Sequence, residues 1–264
     1  MGTYLRYAAL GDSATVGLGD PVPDGWRGWA RLLAEALGQT YDISFCNTAS
    51  IGGTAAVVVA DQLDDAVAHR PDLASLIVGL NDLMRSTWDP VRLRQDVMTC
   101  ADALSGQGAL LMTPRFHDHS LLWPLPGWMR RSLRRRTADL NAVWDEAYAT
   151  YGGLRIDFGA VPEVHERRYW STDRLHPSEL GHRRLARELA DQLAAYGFSF
   201  EPPSLEPAGG LETGWAQDLA WMAGEGVPWV GRRARDLGPW LVSRAMRTET
   251  VTPVKDEAPQ ASQA

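Results

Sequence analysis

Lysine is almost missing from this chain. Of its 26 basic residues, 25 are arginine, and Lys255 is the only lysine. The skew reads as codon usage and points to no function by itself. Cysteine is scarce as well. Cys46 and Cys100 are the only two, too few for a disulfide framework and not in a metal-ligand spacing. Both read as buried, inert thiols. No apolar run approaches the ~18 residues of a membrane-spanning helix. The N-terminus lacks the basic region, long apolar stretch and cleavage site of a signal peptide, so the cytoplasm is the expected compartment. Excess positive charge is lacking too. The formal net charge of -7 argues against nucleic-acid binding by the protein as a whole.

What is present suits a soluble globular protein. The 264 residues are 45% hydrophobic and 22% charged, enough for one sizeable core with appendages. No internal repeat is visible. Residues 4–10 form an apolar run that reads as a buried strand. Gly11-Asp12-Ser13 then breaks it. A Gly-rich loop over 14–25 leads to a helix over 26–37. A strand over 43–46 runs into the small-residue turn Asn47-Thr48-Ala49-Ser50-Ile51-Gly52-Gly53-Thr54. A helix to about His69 should turn Val59, Leu63, Ala66 and Val67 inward. The third strand, 73–78, ends in Gly79-Leu80-Asn81-Asp82.

Asp89-Pro90 is a helix start, because Asp caps and Pro suits the first turn; that helix should reach Leu104. A fourth strand covers 109–112. Residues 113–131 look irregular, and a helix over 132–151 and a fifth strand over 154–158 follow. A loop holds Asp173-Arg174-Leu175-His176-Pro177, and a last helix spans 178–196. Strands and helices thus alternate five times, the pattern of a parallel sheet with helices on both faces. Ligands bind such sheets outside the carboxyl ends of the strands. Ser13, Gly52, Asn81, Asp173 and His176 should all arrive at that edge.

Those residue types suit acyl transfer. Serine is a weak nucleophile until a base takes its proton. His176 is the candidate base, since histidine exchanges its proton near neutral pH. Asp173, one turn earlier, can orient the imidazole and stabilise its cation. Backbone N–H groups of Ser13 and Gly52 and the Asn81 amide can hold an oxyanion.

Together these segments resemble the SGNH hydrolases, the GDSL-type esterases and lipases, over about residues 4–196. The blocks are Gly11-Asp12-Ser13, Asn47 to Gly52, Gly79-Leu80-Asn81-Asp82 and Asp173 to His176. Ala14 stands where many members have Leu, and the doublet Gly52-Gly53 offers two amides for one position. The resemblance implies a three-layer α/β/α, flavodoxin-like fold with a five-stranded parallel sheet. It implies Ser13 as nucleophile, His176 as base, Asp173 as its partner, and an oxyanion hole of Ser13, Gly52 and Asn81. The expected reaction is hydrolysis of a small-molecule carboxylic ester (lipid, acetylated carbohydrate or other acyl ester) through a Ser13 acyl-enzyme, with no cofactor and no metal. An acyltransferase using the same residues is the first alternative. A silent binding module is the second.

The expected domains are a hydrolase domain over 1–200, a Trp-rich helical C-terminal extension over 201–247, and a disordered tail over 248–264. Trp215, Trp221, Trp229 and Trp240 have three readings: docking on the domain, a subunit contact, or a peripheral membrane surface. Arg130, Arg131, Arg134, Arg135 and Arg136 read as a solvated helix face or as an anion site. The apolar residues among 121–128 read as core packing or as a lid beside Ser13. His69, His117, His119, His165 and His182 read as structural.

A base that must be neutral to act predicts activity that rises with pH through the neutral range. A rate profile that is flat between about pH 5 and 8 would remove His176 from that role.

Overall fold

The computed structural model describes residues 2–122, 125–171 and 173–210. The Trp-rich extension beyond residue 210 and the tail lie outside the described residues.

In chain order the elements are β1 (Tyr4–Gly11), α1 (Ser13–Val16), β2 (Pro21–Val22), β3 (Gly25–Trp26), α2 (Gly28–Leu37) and β4 (Asp42–Asn47). Then come α3 (Ala55–Val57), a π-turn over Val58–Gln62, α4 (Leu63–Ala68), β5 (Leu73–Ile77), α5 (Leu80–Leu83) and α6 (Pro90–Gly106). The domain ends with β6 (Leu110–Arg115), α7 (Gly127–Tyr151), β7 (Leu154–Asp157) and α8 (Glu179–Tyr196). The main sheet has the order β4-β1-β5-β6-β7, and every pair in it is parallel. Helices cover both faces, as expected: α2 packs on α8, and α6 packs on α7 and α4.

The central strands are apolar without alternation because both of their faces are covered. Tyr7, Ala8, Ala9 and Leu10 of β1, and Leu73, Ala74 and Leu76 of β5, are wholly buried. The polar exceptions pair with each other, Tyr7 Oη with Ser75 Oγ at 3.0 Å. Asp89 caps α6 through the Val91 and Arg92 amides. Ser178 caps α8 through the Gly181 amide.

Several expectations need correction. The loop over 14–25 contains α1 and most of a two-stranded ribbon, β2 with β3. The helix expected from 132 begins at Gly127. Arg136 does not join a solvated arginine face. It is buried and donates to the Leu83 and Arg85 carbonyls at 2.6 and 2.8 Å, while Arg130, Arg131, Arg134 and Arg135 remain exposed.

Residues 201–210, the start of the expected C-terminal extension, are held to the domain by charged side chains. Arg27 grips Asp20 through Nε and Nη2, each at 2.9 Å, and donates to Glu179 at 2.8 Å and to the Ala208 carbonyl at 2.7 Å. Arg183 donates to the same carbonyl at 2.6 Å and to that of Ser204 at 3.1 Å. Asp20 is fully buried, so losing Arg27 would strand a carboxylate, a defect worth about 3–5 kcal/mol.

His182 clamps α8 to the opposite wall. Its Nδ1 accepts from the Trp29 amide at 3.2 Å, so the proton sits on Nε2, which donates to the Leu18 carbonyl at 2.9 Å. A second ring proton would face an N–H. Burial pushes the imidazole pKa down to about 4, whereas an unfolded histidine titrates near 6.5. Between those values the unfolded chain binds more protons, so stability falls as pH drops through the window. His182→Asn, which takes up no proton there, should lose stability less steeply than wild type between pH 6.5 and 4. Parallel melting temperatures across that range would refute the neutral clamp.

Candidate active site

The end of β1 has no room for a side chain. A Cβ on Gly11 would lie 2.3 Å from the Ile77 carbonyl oxygen, and φ there is +151°. The next residue, Asp12, caps α1 by accepting from the Ala14 amide at 3.0 Å. Burial pushes this carboxyl up to about 6, against the opposing pull of the Ala14 N–H and the His176 charge. Ser13 is therefore the first residue of a short helix, with its hydroxyl at the sheet's carboxyl edge.

His176 meets it from the far end of the domain. Its Nε2 stands 2.7 Å from Ser13 Oγ, and its Nδ1 stands 2.6 Å from Asp173 Oδ2. Asp173 Oδ1 accepts from the Ser171 hydroxyl at 2.6 Å and from the amides of Leu175 and His176 at 2.8 and 3.0 Å. Burial alone would raise the Asp173 pKa; the His176 hydrogen bond and charge, with the Ser171 hydroxyl and the His176 amide, outweigh it and bring it down to about 2. Asp173 is thus an ionised acceptor facing Nδ1, which leaves Nε2 toward the serine hydroxyl. Arg174, inside this turn, has φ of +54° and donates to the Leu122 carbonyl at 3.4 Å. The exposed Leu121 and Trp128 flank the segment expected as core or lid; Trp123 and Pro124 lie outside the described residues.

The small-residue turn arrives beside Ser13. The Gly53 amide is committed to the Ser50 carbonyl at 3.0 Å, whereas Gly52, at φ +76°, has no carbonyl acceptor for its amide among the described residues. Of the glycine doublet, Gly52 thus has the available N–H. Asn81, at the start of α5 and buried, donates through Nδ2 to the Gly53 carbonyl at 3.0 Å. Asp82 accepts from the Ala55 amide through both oxygens at 3.2 Å, and burial pushes its carboxyl up to about 6. Asn47 ties β4 to α1 through the Thr15 carbonyl at 3.0 Å.

Sequence reasoning missed Gln62. Its Oε1 accepts from the Gly11 amide at 2.9 Å, and its Nε2 donates to the Gly11 carbonyl at 2.9 Å and to Ser50 Oγ at 3.0 Å. The side chain stands in for a neighbouring strand, joining the nucleophile turn to the 50–53 turn. Val59 packs against the core as expected, and Val58 and Gln62 are buried beside it in the π-turn, a distortion common at functional sites. Ala55, Val58, Gln62 and Ala66 follow one another at spacings of three and four, so helical periodicity already puts Gln62 on the buried face.

Among the described residues, no group of three or more His, Cys, Asp and Glu is arranged to hold a metal ion.

Gln62→Leu keeps the shape and removes all three bonds. It should react with a fluorophosphonate at Ser13 about 10- to 100-fold more slowly, the scale of a small misplacement of reacting groups. Unchanged labelling in a folded variant would make Gln62 a packing residue only.

Comparison with known proteins agrees with this geometry. The model of the GDSL-like lipase/acylhydrolase family matches residues 9–184, two thirds of the chain. An acetylxylan esterase of Geobacillus stearothermophilus is 25% identical over 210 residues, 71% of this chain and 93% of that protein. Among solved structures, TesA superposes with a TM-score of 0.58 at 23% identity over 72% of this chain and 98% of that one. A variant of the G. stearothermophilus acetyl xylan esterase Axe2 gives a TM-score of 0.58 at 18% identity over 73% and 96%. The esterase EstA from Pseudoalteromonas sp. gives 0.57 at 14% over 72% and 97%. These structural likenesses establish the fold; the family match over most of the domain goes further, and the chain belongs to the GDSL-like lipase/acylhydrolase family, the SGNH hydrolases, as an ester-hydrolysing enzyme.

Proposed function

We propose that the enzyme cleaves short-chain carboxylic esters, acetylated carbohydrate among them, through an acyl-enzyme on Ser13. The observation that carries this is the unbroken chain from Asp173 through His176 to Ser13, at 2.6 and 2.7 Å. The acetyl preference leans on the relative named as an acetylxylan esterase.

Ser13 Oγ attacks the ester carbonyl carbon while its proton passes to His176 Nε2. The imidazolium is stabilised by ionised Asp173. The carbonyl oxygen, now an oxyanion, is held by the N–H groups of Ser13 and Gly52 and by Asn81 Nδ2. The bond to Gly53 sets the plane of the Asn81 amide, and the Asp82 bond to Ala55 holds the same loop one residue further on. As the intermediate collapses, the C–O bond to the alcohol breaks and the leaving oxygen takes the proton from Nε2. Water then attacks the acyl carbon, giving its proton to Nε2; the carboxylic acid leaves and Ser13 regains its hydrogen. A carboxylate with a pKa of about 2 stays ionised throughout neutral pH, so Asp173 never competes for this proton.

Ser13→Ala should lower turnover of p-nitrophenyl acetate by at least about 1,000-fold with the fold intact. Asp173→Asn should lower kcat about 10,000-fold by disturbing the tautomer. Residual activity near wild type in Ser13→Ala would sink the acyl-enzyme. Release of free acetate from acetylated xylo-oligosaccharides, compared with longer acyl esters, tests the substrate class.

A further inference from the structure

Behind the catalytic residues lies a cavity that opens to solvent on its outer side. Ile77, Phe116 and Phe158 lie at the ends of the sheet strands, Leu185 is on α8, and Trp170 and Leu175 belong to the turn that carries Asp173 and His176. Its walls also include the sequence neighbours of the catalytic groups: Asp12 and Ala14 flank Ser13, Leu80 precedes Asn81, and Pro177 follows His176. Ser13, Asn81 and His176 themselves are not among its walls. The space therefore backs the ester site without being part of it.

Two polar groups in this apolar wall lack a hydrogen-bond partner among the described residues, Trp29 Nε1 and the His117 ring, and only the His117 ring has both a donor and an acceptor to satisfy. His117 is only 5% exposed, and neither of its ring nitrogens has a hydrogen-bond partner among the described residues. The ring stacks on His119 at 4.0 Å and tilts against Trp170 at 5.3 Å, so ring packing holds it in place. A buried donor or acceptor left unmade costs about 1–3 kcal/mol. Nothing in the proposed mechanism recovers that cost. Burial, with His119 and His165 nearby, drives the His117 pKa well below its usual value, so the ring is neutral and offers one donor and one acceptor. A hydroxyl group answers both roles. A charged ligand is disfavoured by the apolar walls. Its charged wall residues already have partners: Asp12 accepts from the Ala14 amide at 3.0 Å, and Arg184 bridges Glu163 at 3.3 Å and Glu188 at 3.1 Å.

We propose that this cavity is a second binding site, taking a small uncharged molecule that has an apolar ring or chain and one hydroxyl bonded to His117. Because Leu175 and Trp170 are part of its wall, an occupant braces the turn that carries the catalytic base.

The test uses benzyl alcohol and toluene, nearly the same in shape and differing in the hydroxyl. It is run on the Ser13→Ala protein with 15N-labelled histidine, so it does not depend on the reading of Ser13 as nucleophile. Benzyl alcohol should shift the His117 ring resonances saturably and bind about tenfold more tightly than toluene, the worth of one neutral hydrogen bond. His117→Phe should bind both alike and melt higher, because an unpaired polar ring is replaced by an apolar one. His117→Gln, which keeps a donor and an acceptor, should retain the preference. If neither compound moves the His117 resonances, the cavity holds water alone and the proposal fails. It fails equally if the preference for the alcohol survives in His117→Phe, or if that variant melts lower than its parent.

Discussion

At the end of β1 the Gly11 backbone passes so close to Ile77 of β5 that no Cβ fits, and the catalytic edge is built around that contact. The Gly11 amide and carbonyl would be left unpaired there, which a buried backbone rarely tolerates. Gln62 takes both, and the Ser50 amide adds a bond to the carbonyl at 3.3 Å. Gly53 presses on the same carbonyl; a Cβ there would come within 2.9 Å of it. The turn that presents Ser13 and the turn over 50–53 therefore share the Gly11 backbone as their anchor.

His176 is held by a separate set of contacts. Pro177 follows His176, and a Cβ on Gly19 would meet the Pro177 carbonyl oxygen at 2.0 Å, so the loop after α1 lies directly on the base-bearing turn. His182, six residues after His176, fixes α8 to the same loop through Leu18 and to α2 through Trp29. The Asp20, Arg27, Glu179 and Arg183 network closes the arrangement from below. Buried ion pairs are weak sources of net stability, because desolvation opposes their attraction. Their use here is geometric: each charge has a single satisfactory place, which fixes how α8 is set against α1 and hence where His176 meets Ser13.

Much of this was legible in the chain because it depends on local periodicity. Apolar runs marked the five strands, and Asp89-Pro90 and Ser178 marked two helix starts through capping chemistry that needs no tertiary context. The convergence of Ser13, Asp173 and His176 followed from strand alternation and family blocks. What was hidden depends on distant partners. The chain before Ser132 looked irregular because Pro126 and Gly127 stand there, yet they lie at the start of α7 and not within it. Arg136 read as one more surface arginine because nothing nearby in sequence shows that the Leu83 and Arg85 carbonyls need a donor. Gln62 was hidden because it is polar and its partners, the Gly11 amide and carbonyl, lie far away in sequence.

Three histidines show why residue type alone could not assign roles. His176 faces a carboxylate on one nitrogen and a hydroxyl on the other, so proton movement along that line is met by an opposite charge. His182 faces a backbone N–H and a carbonyl, two neutral dipoles that fix one tautomer and oppose a second proton. His117 faces ring edges and apolar side chains and has neither kind of partner. Each is nine-tenths buried or more. Burial is therefore common to the base, the clamp and the unexplained ring. The atoms placed within about 3 Å of the two nitrogens separate them, and those atoms are supplied by parts of the chain far away in sequence.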